Sequence, residues 1–437
     1  MEMKIAVFCT WPVEFSHRLS INAALYGANC GLSVDVIDVS EIAMPLYSFL
    51  NGKNYPLPSF FVSLLRKTIK RNSFYIRRGL ILDSKDNDLD RIFIKPWKFK
   101  FSKRRINLPN RSKNHDRYLE LLILDAKGLY PHDIPISKIK RGIRKLNKIQ
   151  SKVFKVISRI DDYDQWWIFN GRFPVDMILK NYAIDNGITT KFFEIGFREN
   201  SFCVYDDSPH SLIEHRKNAL YFWSESNIVE REQVAIRYLE NRINHCDLKS
   251  GFWNVNQSKG TVRNLPLKKI VTFFLSTEGE LASSKNEIVD CLFVNQIESI
   301  KWIMNNLDFD DWHLVIRGHP NRSSIRSKDL VLRHLPIIEE NQLNFTYISE
   351  DASDDSIELI KKSDLVCIYD SSIGIDAIYL NKPLLILGKP LFTALLENPI
   401  KAIDEISFKN LDKFSYDKEY LKIWAWYSNQ YGIELYF

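Results

Sequence analysis

Two short runs in the C-terminal half combine the residue types that handle phosphate. Arg317-Gly318-His319-Pro320 follows the apolar run WHLVI, and Asp370-Ser371-Ser372-Ile373-Gly374-Ile375-Asp376-Ala377 follows LVCIY. In the second run a strand reads through to Tyr369, two hydroxyls come next, and a helix begins at once. The first N–H groups of a helix have no partner within it, so together with the Ser371 and Ser372 hydroxyls they form a receptor for phosphate oxygens. Gly374, in the first turn, would let a ligand approach closely. Ser371 as a plain helix N-cap is the competing reading, and it is compatible with phosphate binding. Arg317 offers a planar fork suited to phosphate or carboxylate. His319 can hydrogen-bond a phosphate or ribose hydroxyl and can protonate a leaving phosphate, while Pro320 fixes the turn. Both runs lie where strands end, the edge at which open α/β sheets bind ligands.

The elements that position these runs read as two α/β halves. Lys4 to Cys9 is an apolar strand, Ser20 to Cys30 is spaced as a helix that Gly31 stops, and Val34 to Val39 is a second strand. Strand, helix and strand in so short a span argue for a parallel sheet. Long basic and polar stretches obscure the pattern over about 45–160, read as an insertion with helices that include 136–160. Strand signals return at Trp166–Phe169 and Thr190–Phe193, with a helix over 174–186 between them. A polar run near 247–267 has the look of a linker. Beyond it come strands at Lys269–Leu275, Trp312–Arg317, Phe345–Ile348, Leu365–Tyr369 and Pro383–Leu387. Helices alternate with them over 285–306, 325–335, 356–362 and 373–380. The aromatic, amphipathic tail over 415–437 suits a helix crossing back to the first domain. The expected domains are therefore 1–255, 266–410 and a crossing helix at 411–437.

Composition narrows the class. The chain has 437 residues, 45% hydrophobic and 26% charged, with a net charge of +6. That length divides naturally into two globular domains. Eight Lys or Arg and no acid fall between Lys95 and Lys113, interleaved with Trp97, Phe99 and Phe101. This stretch reads either as a solvated basic loop or as a peripheral contact with the anionic inner membrane or a phosphate-bearing acceptor. No nucleic-acid-binding motif accompanies it. The cysteines Cys9, Cys30, Cys203, Cys246, Cys291 and Cys367 show neither CxxC nor CxxH spacing, which argues against zinc. No stretch approaches the ~20 apolar residues that span a bilayer, and no leader precedes the first strand, so a cytoplasmic location is expected.

The His-Pro turn, followed about 50 residues later by Asp-Ser-Ser before a helix, resembles the donor domain of capsule-polysaccharide and β-Kdo transferases. The stretches IYDSSIGIDAIYLNKPLLILG and YISEDASDDSIELIKKSDLVCIYD are similar to that family's serine motif and its approach. In the first half, Asn170-Gly171-Arg172 and Glu194-Ile195-Gly196 resemble the family's NGR and E-x-G elements on the acceptor side. Ser276-Thr277-Glu278-Gly279-Glu280 resembles its S-S-x-[DE]-E loop, with Thr277 at the second serine and Gly279 where an acid is common. The resemblance covers roughly 166–395. It implies a GT-B architecture, two Rossmann-like domains facing a cleft, and a CMP-activated donor sugar, Kdo foremost. It also implies that His319, Pro320, Ser371 and Ser372 hold the cytidine nucleotide.

Glycosyl transfer needs a base for the acceptor hydroxyl, or a carboxylate nucleophile where configuration is retained. Glu194, Glu278 and Glu280 are the carboxylates at strand ends, with Glu194 favoured for acid/base work. Its competing reading is an ion pair with Arg172 or Arg198 that only shapes the loop. Asn170 and Arg172, beside Gly171, would bind a substrate carboxylate or hydroxyls. No DxD motif sits at a strand end, so neither a metal nor any other cofactor is expected. Asp161-Asp162 and Asp354-Asp355 read as solvated helix starts. Two alternatives stand beside the glycosyltransferase: a CDP-glycerol-type phosphotransferase of teichoic-acid-like polymer assembly, and a catalytically inactive GT-B scaffold.

Overall fold

The computed structural model describes residues 3–11, 14–39, 136–157, 163–244, 257–276, 292–293, 295–319, 345–397, 399 and 406–436. The chain divides into two compact units. The first is Met1–Ala126, Tyr130–Pro209 and Gly432–Phe437, and the second is Lys127–Leu129 and His210–Tyr431. Each is built on its own mostly parallel sheet, the doubly wound α/β organisation expected from the alternating sequence pattern.

In the first unit β1 (Lys4–Cys9) leads through α1 (Glu14–Asn29) to β2 (Ser33–Asp38). Ile5, Ala6, Val7 and Phe8 are fully buried. A strand covered on both faces reads as a continuous apolar run rather than an alternating one. Gly31, at φ +80°, ends α1 in the left-handed conformation that glycine tolerates. After α2 (Ile136–Ile157) come β3 (Gln165–Phe169), α3 (Pro174–Asp185), β4 (Thr189–Ile195) and β5 (Ser201–Tyr205). The sheet order is β11 (Ile433–Glu434), then β5-β4-β3-β1-β2. The chain leaves β1 toward β2 and returns to β1's other side as β3, so the reversal of strand order lies between β1 and β3.

The second unit opens with two helices that the sequence pattern did not announce, α4 (Leu212–Ser224) and α5 (Ile228–Ile243). The compact units divide after Pro209, ahead of these helices. Its sheet comprises β6 (Lys269–Phe274), β7 (Trp312–Arg317), β8 (Phe345–Ile348), β9 (Leu365–Ile368) and β10 (Leu384–Ile386), in the order β10-β9-β6-β7-β8. Helices α6 (Gln296–Asn306), α7 (Ser356–Lys362) and α8 (Gly374–Tyr379) intervene. Here the order reverses between β6 and β9. The helix expected over 285–306 is present from Gln296, and the one expected over 325–335 lies outside the described residues.

In the C-terminal tail, read from the sequence as a crossing helix, stands α9 (Lys418–Gln430). It packs on α4, α5 and α8 of the second unit, and β11 (Ile433–Glu434) is what joins the first sheet, antiparallel to β5. Within the helical layer the Tyr427 hydroxyl lies 3.0 Å from His215 Nδ1, and Trp426 Nε1 donates to Ser226 Oγ at 3.0 Å. The polar 257–267 segment is fastened to the second unit rather than slack. Arg263 pairs with Asp354 at 2.7 Å, and Gly260 N donates to Asp355 Oδ2 at 2.7 Å. Asp354 and Asp355 are buried, so they start a helix as expected but are not solvated. Asp355 caps α7 through the Ile357 and Glu358 amides.

Arg242 ties α5 to α8 by a bidentate pair with Asp376, both contacts at 2.8 Å, and its Nη2 also donates to the Ser372 carbonyl at 3.3 Å. Burial works against the guanidinium's charge, but Asp376 outweighs it and the group is more basic than an ordinary arginine. Removing one partner from such a pair leaves a buried charge uncompensated, at about 3–5 kcal/mol, whereas apolar replacement of both is close to neutral. Urea unfolding should therefore show Arg242→Leu destabilising the second unit by about that amount. The Arg242→Leu/Asp376→Leu double variant should recover most of the loss. A single variant as stable as wild type would show the pair to be dispensable.

Candidate active site

In the second unit β7 and β9 flank β6 in parallel, so their carboxyl ends lie on one edge, one on each side of the end of β6. The chain leaves β7 through Gly318, whose amide donates to the Ile348 carbonyl at 2.8 Å. A Cβ on Gly318 would stand 2.8 Å from the Glu350 amide and 3.0 Å from its side chain, so only glycine passes here. His319 follows, half-exposed, and Pro320 lies outside the described residues. Glu350, beyond the end of β8, is only 2% exposed, and its Oε1 has no hydrogen-bond partner. The sequence reading passed over this carboxylate because nothing in its spacing separates it from Asp351, Asp354 and Asp355.

Arg317 does not have the expected role. It is 2% exposed, and its guanidinium is taken up by main-chain carbonyls: those of Ser349, Ala352 at 3.2 Å and Asp354 at 3.3 Å. Burial lowers its basicity, with Asp354 partly offsetting the effect. The fork secures the 349–354 turn instead of facing a phosphate.

After β9 the side chains divide. Asp370 Oδ1 accepts the Lys389 amide at 3.0 Å, stitching this turn to the one after β10. Ser371 is nearly buried and its Oγ accepts the Ile373 amide at 3.4 Å, whereas Ser372 is exposed on the edge. Gly374 also departs from expectation. A Cβ there would lie 2.6 Å from Ile368 Cδ1 and 2.7 Å from Phe392 Cζ. Its lack of a side chain serves the packing of α8 onto the sheet, not the approach of a ligand. Between the two motifs, Gln296 at the start of α6 holds the end of β6, accepting the Ser276 amide at 3.0 Å and donating to its carbonyl at 3.3 Å. Glu278 and Glu280, in the loop that follows, lie outside the described residues, as does the basic stretch Lys95–Lys113.

In the first unit the corresponding edge carries the other motif. Asn170 and Gly171 both take positive φ, 55° and 83°, directly after β3. A Cβ on Gly171 would stand 2.8 Å from the Phe192 ring, so the glycine is fixed by packing as well as by backbone conformation. The tight turn brings the Asn170 amide nitrogen Nδ2 onto Glu194 Oε2 at the end of β4, while Glu194 Oε1 accepts the Ile195 amide at 2.9 Å. The structure thus brings Asn170, Gly171 and Glu194 together. The two arginines weighed as partners of Glu194 have other contacts. Arg198 donates to the Gly432 carbonyl at 3.2 Å, and the Arg172 guanidinium lies over the Phe173 ring at 5.2 Å.

Beneath this turn lies a group that sequence reasoning missed, Asp176 in the first turn of α3. It is fully buried. Burial raises its pKa well above the ordinary value and the Glu194 charge adds to this, while the Thr10 side chain and the Gly171 and Phe173 amides pull the other way. Under the Asn170-Gly171 turn this carboxyl holds its proton more tightly than an ordinary aspartate. In sequence it resembles any acid in a helix's first turn, a position that ordinarily favours the charged form.

Among the described residues no group of three or more His, Cys, Asp or Glu is placed to hold a metal ion, and no helix is long and apolar enough to cross a membrane. Cys367 is completely buried, and burial pushes its thiol up, in keeping with a small hydrophobe in β9.

Residues 291–395, which span both motifs of the second unit, match the family model described as capsule polysaccharide biosynthesis protein. The resemblance read from the sequence is borne out over that stretch. No curated protein matches the chain. Among solved structures, the β-Kdo 2,4 transferase of Thermosulfurimonas dismutans KpsC aligns at a TM-score of 0.41 and 13% identity, over 61% of this chain and 79% of that one. The β-Kdo 2,7 transferase of the same protein gives 0.39 and 14%, over 63% and 79%. UDP-GlcNAc 2-epimerase from Neisseria meningitidis gives 0.28 and 12%, over 97% and 94%.

The Asp176 carboxyl has a defined consequence for pH. A folded-state pKa raised above the ordinary 3.8 means that its stabilising contribution is fully present below that pH and is lost as pH rises through the raised value. Asp176→Asn removes this dependence. In urea unfolding across a pH series, the variant should gain on wild type as pH rises through that window, and a constant difference would show that the carboxyl does not titrate there.

Proposed function

We propose that the protein is a glycosyltransferase that moves a sugar, Kdo by resemblance, from a CMP-activated donor to a growing bacterial surface glycan. The observation that carries this reading is the convergence of two motifs on one sheet edge. The His319 turn and the Ser371-Ser372 turn flank the end of β6 beside the reversal of strand order, and both fall within the stretch matched by the capsule family model. The donor's phosphate sits at the serine turn, with Ser372 exposed for it and Ser371 bracing the backbone. His319 hydrogen-bonds the phosphate as the bond from the anomeric carbon to the phosphate oxygen breaks and CMP departs. The buried Glu350 carboxylate, one strand over, is placed to accept from a ribose hydroxyl.

Glu194 takes the proton of the acceptor hydroxyl as the glycosidic bond forms, held in place by Asn170 and its own strand's amide. Glu278 and Glu280 remain the candidates for a second carboxylate, which a double displacement would require. The reaction needs no metal in this reading. The protein works in the cytoplasm, with an acceptor presented at the inner membrane.

The test is calorimetric titration of the protein with CMP, CDP, UDP and GDP without added metal. CMP should be preferred, and Ser371→Ala/Ser372→Ala should abolish its binding. Glu194→Gln should keep CMP affinity while lowering transfer about 10²–10⁴-fold, the range of a lost general base. A preference for CDP would move the assignment to the phosphotransferase. A preference for UDP or GDP would overturn the cytidine donor, and binding of none, with transfer indifferent to Glu194, would leave a scaffold.

A further inference from the structure

Helix α2 carries eight Lys or Arg and no Asp or Glu between Ile136 and Ile157. It is sharply two-faced. Leu146, Ile149, Val153, Phe154 and Ile157 are buried, and the Phe154 ring lies 5.6 Å from Tyr182 of α3. From Lys140 onward, every exposed position except Ser151 is a cation: Lys140, Arg141, Arg144, Lys148, Lys152 and Lys155. Lys140, Arg144, Lys148 and Lys152 are spaced four apart, so successive side chains are neighbours along a ridge that slants around the helix. At 1.5 Å per residue the stripe from Lys140 to Lys155 is about 22 Å long.

Like charges four apart on a helix repel, and nothing on α2 offsets them. The crowding is visible at Lys145, whose pKa is lowered first by burial and then by Arg141. Among the described residues, α3, which packs beneath, contributes one exposed carboxylate, Asp185, and another cation, Lys180. A helix whose outer face is all one sign, on a chain with a net charge of only +6, is matched to an external polyanion.

The form of the stripe selects among polyanions. It is a slanting row along the outer face of a helix, an extended surface of charge. No aromatic side chain is exposed between the cations, so there is no platform on which nucleic-acid bases could stack. Four of the six cations are lysines, hydrated point charges suited to diffuse contact with a layer of headgroups more than to bidentate recognition.

We propose that the outer face of α2 is the surface by which the protein lies against an anionic lipid bilayer. The inference rests on the reading above only in placing the protein at a membrane, and its test does not depend on the donor.

The experiment is co-sedimentation of the full chain with vesicles of phosphatidylcholine alone or with phosphatidylglycerol added, at low and high salt. Wild type should sediment with the anionic vesicles only, and less at high salt, where such contacts are screened. Lys140→Gln/Arg144→Gln/Lys148→Gln/Lys152→Gln, with 95–113 unaltered, should weaken that binding at least about tenfold, given the contribution of each basic residue at such a surface. These side chains are exposed, so the variant should keep its circular dichroism and its CMP affinity. Failure of wild type to bind anionic vesicles would overturn the proposal, and so would full retention of binding by the quadruple variant. Displacement of the vesicles by an equal charge of duplex nucleic acid would reassign the stripe to that partner. CMP titration of the same samples reads the donor site separately, so either inference can fail alone.

Discussion

The second unit depends on one arrangement of hydrogen bonds, the parallel pairing of β6 with β7 on one side and β9 on the other. Parallel strands end on the same edge. Whatever sequence follows β7 and β9 is therefore delivered to neighbouring points, although β8 and two crossovers separate them along the chain. The strand-to-loop groups at that edge then need partners. Gln296 serves the end of β6, Arg317 the turn after β8, and Asp370 the turn after β10. Much of the polar equipment near the edge is thus committed to holding backbone.

That commitment explains how far the site was legible in the sequence. The strands were legible because they are buried on both faces and read as unbroken apolar runs, and with them came the place of the His319 and Ser371-Ser372 turns. Roles within the turns were less so. Arg317 and Gly374 belong to residue types that serve ligands and packing equally well, and only their neighbours decide between the two: three carbonyls for Arg317, and Ile368 and Phe392 for Gly374. Asp176 and Glu350 escaped notice for the converse reason. Nothing in the local sequence of a carboxylate reports that tertiary packing has shut it away from water.

The helices α4 and α5 escaped notice for a different reason. Their buried apolar positions are few, Ala219 on α4 and Ala235 and Leu239 on α5, so little of either helix marks a core face. They are held through polar and aromatic contacts with distant sequence: His215 with Tyr427, Ser226 with Trp426, and Arg242 with Asp376. The same contacts explain why the unit boundary precedes these helices. They are anchored to α8 and α9, and the polar segment at 257–267 is pinned to Asp354 and Asp355.

The two-residue strand β11 has a consequence for the order of events during synthesis. It supplies the outer neighbour of β5 from a position beyond the whole of the second unit. While a ribosome is still making the second unit, Ser201–Tyr205 is the bare rim of an unfinished sheet, with open backbone donors and acceptors that another nascent chain could join. Only when Ile433 and Glu434 emerge is that rim covered, at Phe202 and Ser201. Folding of the two units is therefore nested rather than sequential: the unit begun first is the one completed last.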